Sequence, residues 1–140
     1  MNVDILEESF DLVAPRGDEL VAVFYGNLFV RAPQVRPMFT HVEMKKQRAM
    51  LLAALVLLRK SLRDLDAIAP KLRELGARHV AYGATPEAYP IVGEVLIATM
   101  AQVGGSRWRD EYSEAWAAAY ALVQAAMLEG AAQAGLAEAA

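Results

Sequence analysis

The 140 residues contain no cysteine. That excludes a disulfide framework, a cysteine nucleophile, thiolate metal sites and any cofactor attached through a thioether. Histidine is scarce as well, with only His41 and His79, so no zinc site built from protein ligands is expected. Threonine occurs three times, and neither Asn-Gly nor Asp-Gly is present. With no alternating apolar pattern and no internal repeat, nothing predicts a β-sheet or a repeat array. The longest apolar run, Ala49 to Leu58 between Arg48 and Arg59, is about half of the roughly 20 residues that a membrane span needs. It reads as a buried helix. Positive charge is also in short supply: 14 Lys and Arg against 17 Asp and Glu leave a net charge of −3, which argues against nucleic-acid binding. The start, Met1–Asn2–Val3–Asp4, has no basic stretch and no signal-like apolar run, so a soluble cytoplasmic protein is expected.

Alanine and straight-chain residues dominate instead. Hydrophobic residues make up 56% and charged residues 22%, a composition too apolar for disorder and suited to one domain over residues 1–140. Alanine, leucine, glutamate and arginine lose little entropy in a helix, and the punctuation divides the chain into seven or eight helices. The first runs from about Asp4 to Val13 and ends at Pro15–Arg16–Gly17. Asp18 is expected to cap a second helix over Glu19–Arg31. Pro33 opens a short helix to Phe39, and residues 40–43 connect it to a long helix over Met44–Leu62, with Gln47, Leu51, Leu55 and Leu58 along one side. Arg63–Asp66 reads as a link. Pro70 is expected to open the next helix, which reaches Val80 and places Leu72, Leu75, Gly76 and His79 on one side. Thr85–Pro86–Glu87 caps a helix running to Val103, and Gly104–Gly105 stop it. Ser106 is expected to cap the last helix, from Arg107 to Leu128 or beyond, and residues 130–140 form an alanine-rich tail expected to fray.

His79 is the residue with the most chemistry to offer. On an apolar helix side it is either a hydrogen-bonded core residue or a metal ligand, since neutral imidazole is the commonest one. One histidine facing an apolar cavity suits an iron already held by a macrocycle, where the porphyrin supplies four donors and the protein one.

The motifs then resemble a known family. Phe24–Tyr25–Gly26–Asn27–Leu28–Phe29 followed by Pro33, Val35 and Phe39, Gln47–Arg48 with Leu51, Leu75–Gly76–Ala77–Arg78–His79, Tyr89–Pro90–Ile91–Val92–Gly93–Glu94, and Ala115–Trp116–Ala117–Ala118–Ala119–Tyr120 occur in one order. They are similar to the bacterial single-domain globins of the Vitreoscilla haemoglobin type and to the globin domain of flavohaemoglobins, over about residues 5–128. The resemblance implies an all-α fold, the 3-on-3 globin sandwich, with helices crossing at about 50°. It implies non-covalent haem b, with His79 as the proximal iron ligand. The Leu75 carbonyl, four residues back, would accept from its Nδ1–H. It implies Phe39 packed flat on the haem, Leu51 and Leu55 lining the distal side, and Tyr89 and Val92 beside the proximal one. Tyr25 and Gln47 match the distal pair, two donors aimed at a diatomic ligand that gains negative charge. Such a bond is worth roughly 1.5–3 kcal/mol. Leu28 and Met50 would shape the same pocket or its entrance. Arg78 is the first choice of partner for a haem propionate, with Lys45, Lys46 and Arg48 as others, and His41 reads as a surface residue.

One position departs from the flavohaemoglobin pattern. There a tyrosine and a late glutamate act on the proximal histidine. Tyr89 matches the tyrosine, but counting from Trp116 the glutamate position falls at Gln133, with Glu129 one turn earlier as a substitute. The function implied is reversible binding of dioxygen, and of other diatomic gases such as CO and NO, for storage, delivery or sensing. The alternative is nitric oxide dioxygenation with electrons from a separate flavin- or NAD(P)H-dependent reductase, since no G-x-G-x-x-G occurs in the 140 residues. A haem-free globin-fold interaction module is a third reading.

Overall fold

The computed structural model describes residues 1–139, with residues 136–139 described only as helix. Six α-helices form: α1 Val3–Val13, α2 Gly17–Arg31, α3 Met44–Lys60, α4 Leu65–Ala81, α5 Ala88–Gly104 and α6 Asp110–Ala139. Three short 3-10 segments, Ala14–Arg16, Pro33–Phe39 and Gly105–Arg107, join them, and no strand occurs among the described residues. The all-α architecture expected from the sequence is the architecture observed.

Two of the helices start at a capping side chain. The Asn2 side chain accepts from the Ile5 N–H at 3.1 Å and opens α1, whose Leu6, Phe10 and Val13 recur at the helical period and are buried. The Glu43 side chain accepts from the Lys45 N–H at 3.2 Å and opens α3. Gly83, at φ +87°, makes the turn after α4 that a side chain would resist.

Four expected boundaries move. Asp18 lies in the first turn of α2 rather than at its cap. Arg16 takes the cap position, held by Glu19 and by a 2.7 Å bond from its guanidinium to the Val103 carbonyl. Pro70 sits inside α4 instead of opening it. The Ala67 N–H bonds the Asp64 carbonyl at 3.2 Å and starts the helix early, so proline sacrifices only one bond, just past the donors that a helix start leaves free anyway. Pro86 lies in a turn before α5, closed by Ala88 N–H to Thr85 carbonyl at 3.0 Å. Ser106 belongs to a 3-10 turn, and α6 begins at Asp110. The tail expected to fray is helix to Ala139; residue 140 lies outside the described residues.

The packing explains the long last helix. α4 lies along α6, and the two approach at glycines: a Cβ on Gly76 would strike the Met127 carbonyl, and one on Gly130 would strike that of Arg73. α2 packs on α5 and α3, and α1 on α6 and α5. Leu6, Phe10, Leu20, Phe24, Met100 and Trp116 meet in the core. There the Trp116 indole N–H donates to Ser9 at 2.7 Å, and Ser9 donates to the Leu6 carbonyl at 3.0 Å, so these two buried polar side chains are satisfied. Arg59 of α3 forks onto Asp11 at 2.9 Å through two nitrogens and also reaches Glu7. That pins α1 to the far end of α3. α3 and α4 share no comparable packed interface of their own.

Candidate functional site

The site lies where α3 and α4 stay apart, and it is built from two groups of side chains. The first comes from α2, the 3-10 segment 33–39 and the start of α3. Tyr25 is buried on α2, its ring edge-on to Phe24 at 4.9 Å and to Phe39 at 5.6 Å. Phe29 closes the set at 5.3 Å from Phe39. Gln47, one turn into α3, donates its amide N–H to the Tyr25 hydroxyl oxygen at 3.0 Å. The Tyr25 oxygen is thus an acceptor in that bond, and its own proton remains available to a further partner. Burial pushes the phenol pKa above its usual value, and the Gln47 bond only partly offsets this. Tyr25 therefore stays a neutral donor across the physiological range.

The second group is on α4 and α5. His79 is half-buried, and its Nδ1 lies 2.7 Å from the Leu75 carbonyl oxygen. A carbonyl only accepts, so the proton sits on Nδ1 and Nε2 keeps its lone pair for a metal. The i,i−4 spacing makes this a property of the helix itself. Tyr82 and Tyr89 flank the imidazole with ring centroids at 5.5 and 6.4 Å. Among the described residues the Tyr89 hydroxyl is buried without a hydrogen-bond partner, and burial raises its pKa. Tyr120 of α6 fixes the backbone behind it, donating to the Tyr89 carbonyl at 2.6 Å and packing on Gly93. Burial raises the Tyr120 phenol pKa first, and its interaction with Tyr89 adds to the shift.

The other sequence-predicted residues divide. Leu55 and Leu28 are buried in the main core, and Leu51 and Val92 pack half-buried against it. Leu75 is half-buried. Met50 is 63% exposed. Arg78 is exposed and engaged with Glu74 at 2.6 Å. Lys45, Lys46 and His41 are exposed, and Arg48 is half-exposed. Glu129 and Gln133 are both exposed on α6, whereas Met127 and Gly130 form its contact with α4. Among the described residues neither makes a hydrogen bond to Tyr89 or His79. Sequence reasoning gave no role to Phe29 or Tyr120. The signal for Tyr120 was Gly93, four residues after Tyr89, a small residue where a ring must lie close.

The arrangement fits a flat apolar group with its own metal. Leu51 and Leu58 on α3, and Leu72 and Leu75 on α4, are left half-buried, and Leu57 and Tyr82 are 41% and 55% exposed. Each helix therefore presents apolar surface that the other does not cover. The donor set is a single imidazole on one group and a phenol–amide pair on the other, which suits a metal brought in by a macrocycle. No helix among the described residues is long and apolar enough to cross a membrane.

Residues 22–127 match the family model described as Globin. Flavohemoproteins are among the curated relatives. That of Rhizobium meliloti is 30% identical over 119 residues, 84% of this chain and 30% of its own length. That of Bacillus thuringiensis is 30% identical over 128 residues, 90% of this chain and 31% of its own. The chain thus spans about 30% of the length of these relatives. Two solved structures share the fold at 22% identity. One is an engineered carbene transferase described as a candidate nitric oxide dioxygenase from Rhodothermus marinus, with TM-score 0.88 over 99% of this chain and 96% of that one. The other is a globin from Campylobacter jejuni, with TM-score 0.81 over 94% of each chain.

Proposed function

The chain belongs to the globin family, and from that premise we propose that it binds haem b non-covalently between α3 and α4 and uses it for reversible capture of dioxygen. The proposal treats the 140 residues as one globin domain working in the cytoplasm. His79 Nε2 takes the iron, and the Leu75 carbonyl fixes the ring and its tautomer. Phe39 wedges the macrocycle, and Leu51, Leu55, Leu75, Tyr89 and Val92 supply apolar contact. Arg78, released from the exposed Glu74 pair, takes a propionate. When bound, the haem supplies a ferrous iron that takes up diatomic gases. Tyr25 then offers its free O–H to the ligand, held in place by Phe24, Phe39 and the Gln47 N–H.

The observation that carries this reading is the pairing of an oriented imidazole on α4 with the Gln47–Tyr25 bond across α3 and α2. A second reading, nitric oxide dioxygenation with a separate reductase, is favoured by the flavohemoprotein relatives. Storage, delivery or sensing is the first reading because the imidazole has only a neutral carbonyl acceptor here. With Glu129 and Gln133 exposed, no carboxylate bonds to His79 among the described residues to strengthen its donation to iron. Absorption spectra of ferric, ferrous and carbonyl-bound protein test the assignment. His79→Ala is expected to lose haem or to be rescued by added imidazole. Normal haem retention with an unchanged ferrous spectrum would overturn it.

A further inference from the structure

The 3-10 segment 33–39 and the start of α3 bound a groove of about 590 Å³ outside the Tyr25 group. Phe29, Pro33, Pro37, Phe39 and Met44 give it apolar walls, and the exposed side chains of Arg36 and Thr40 form its polar edge. One wall is stiff. Pro33 and Pro37 each hold a fixed φ, and the Thr40 hydroxyl donates to the Pro37 carbonyl at 2.6 Å. The other wall is made of side chains that can turn, Phe29 of α2 and the unbranched Met44 of α3.

Two rings separate this groove from the functional site. Phe29 and Phe39 both line the groove, and both touch Tyr25, with ring centroids at 6.1 and 5.6 Å. They meet each other edge-on at 5.3 Å, so the three rings close the way from the groove to Tyr25. On the haem reading Phe39 is wedged against the macrocycle, which leaves Phe29 as the ring free to turn. The Arg36 guanidinium holds it from the groove side, 5.0 Å from its centroid. Arg36 is exposed and forms no ion pair among the described residues. The way past Gln47 differs. Its amide N–H bonds the Tyr25 hydroxyl at 3.0 Å, so a swing of Gln47 that opened the site would break the bond that orients the donor. A ligand arriving through the groove leaves that pair intact.

We propose that the groove is the entrance for dioxygen and other small apolar gases, with Phe29 as the gate and Arg36 as its latch; the inference rests on the haem reading above. An uncharged diatomic gains by leaving water for apolar surface, so it collects in the groove and passes to Tyr25 when the Phe29 ring turns. Size and polarity are selected at the same place. A diatomic needs only a brief rotation of one ring, whereas a larger or charged molecule meets apolar walls that are stiff on the proline side. A gate changes the height of a barrier and not the energy on either side of it. Phe29 therefore sets the association and dissociation rates together and leaves the equilibrium affinity alone.

The test is laser-flash and stopped-flow kinetics of carbon monoxide with the haem-loaded ferrous protein, with haem content measured in the same samples. Carbon monoxide is a weak acceptor, so its rates report the path more than the Tyr25 bond. Phe29→Trp fills the gate and should lower the association and dissociation rates each by about five-fold, since association slows when it waits on a conformational change. The fraction of carbon monoxide that recombines before escaping should rise with it. Thr40→Trp fills the groove from its exposed edge, leaves Phe29 in place and should lower both rates in the same way. Arg36→Ala releases the ring and should raise both. In all three variants the ratio of the two rates should match that of the unsubstituted protein. Unchanged rates in both tryptophan variants would overturn the proposal while leaving the haem assignment intact. So would a slower association in Phe29→Trp with no change in dissociation, the mark of a ring that shapes the site. A larger fall in Gln47→Trp than in Phe29→Trp would overturn it too, by placing the entrance along α3. A protein that takes up no haem would overturn the underlying reading instead.

Discussion

Tyr25→Phe removes one oxygen atom and leaves the ring packing in place. Because Gln47 donates to the Tyr25 oxygen at 3.0 Å, the phenolic proton is free for a ligand that gains negative charge. Losing that bond removes roughly 1.5–3 kcal/mol, or about 10- to 150-fold in affinity. Gln47 loses its acceptor in the same variant and is free to turn toward the ligand, which places the expected rise in dioxygen off-rate near the lower end, about ten-fold. Gln47→Leu is expected to do less. Tyr25 is held by edge contacts to Phe24 and Phe39, whereas Gln47 is half-buried with three torsions to order. Of two equal donors, the pre-ordered one loses less entropy on bonding. Carbon monoxide, a weaker acceptor, should respond much less to either change. Laser-flash and stopped-flow kinetics on both variants supply the comparison. If Gln47→Leu releases dioxygen faster than Tyr25→Phe does, the amide is the principal donor and the argument from pre-ordering is wrong.

Gly76→Ala should destabilise the protein by about 1–3 kcal/mol, because the new Cβ meets the Met127 backbone carbonyl, which has no rotamer by which to retreat; thermal melts should show a loss of roughly 5 °C or more, and an unchanged midpoint would refute the close approach of α4 and α6. Haem binds the native state only, so holoprotein should melt above apoprotein, with the lost helicity concentrated in α4; equal midpoints would contradict this. Burial raises the phenol pKa values of Tyr25 and Tyr89. The stability that the protonated phenols contribute is therefore complete below their unfolded pKa of about 10 and is lost as pH rises above it. Urea titrations from pH 8 to 11 should show that decline, reduced in Tyr25→Phe and Tyr89→Phe; a decline of the same size in both variants would assign it to other groups.

Features set within a few residues were legible in the sequence. The order of helices and the contact of His79 with the carbonyl four residues earlier follow from local signals and helix geometry, which need no knowledge of distant chain. The family motifs brought Tyr25 and Gln47 together as well, but composition and periodicity alone do not, since 22 residues and a change of helix separate them. Pro70 read as a helix start because local sterics favour it there; the helix nevertheless begins at Leu65, where burial of Ile68 and packing along α6 outweigh one missing hydrogen bond. Residues 130–139 read as a fraying tail because alanine gives little to bury. They are helical because Gly130 lets α6 run against the Arg73 carbonyl of α4, a contact visible only once both helices are in place. The phase of α6 decided the surroundings of His79 in the same way. Glu129 and Gln133 stand within reach of it on paper, but the glycine contact turns Gly130 toward α4 and leaves both side chains in solvent, so His79 keeps a neutral partner. Helix rotation of this kind is set by which side chains must be buried against another element, and one strand of sequence does not contain that partner.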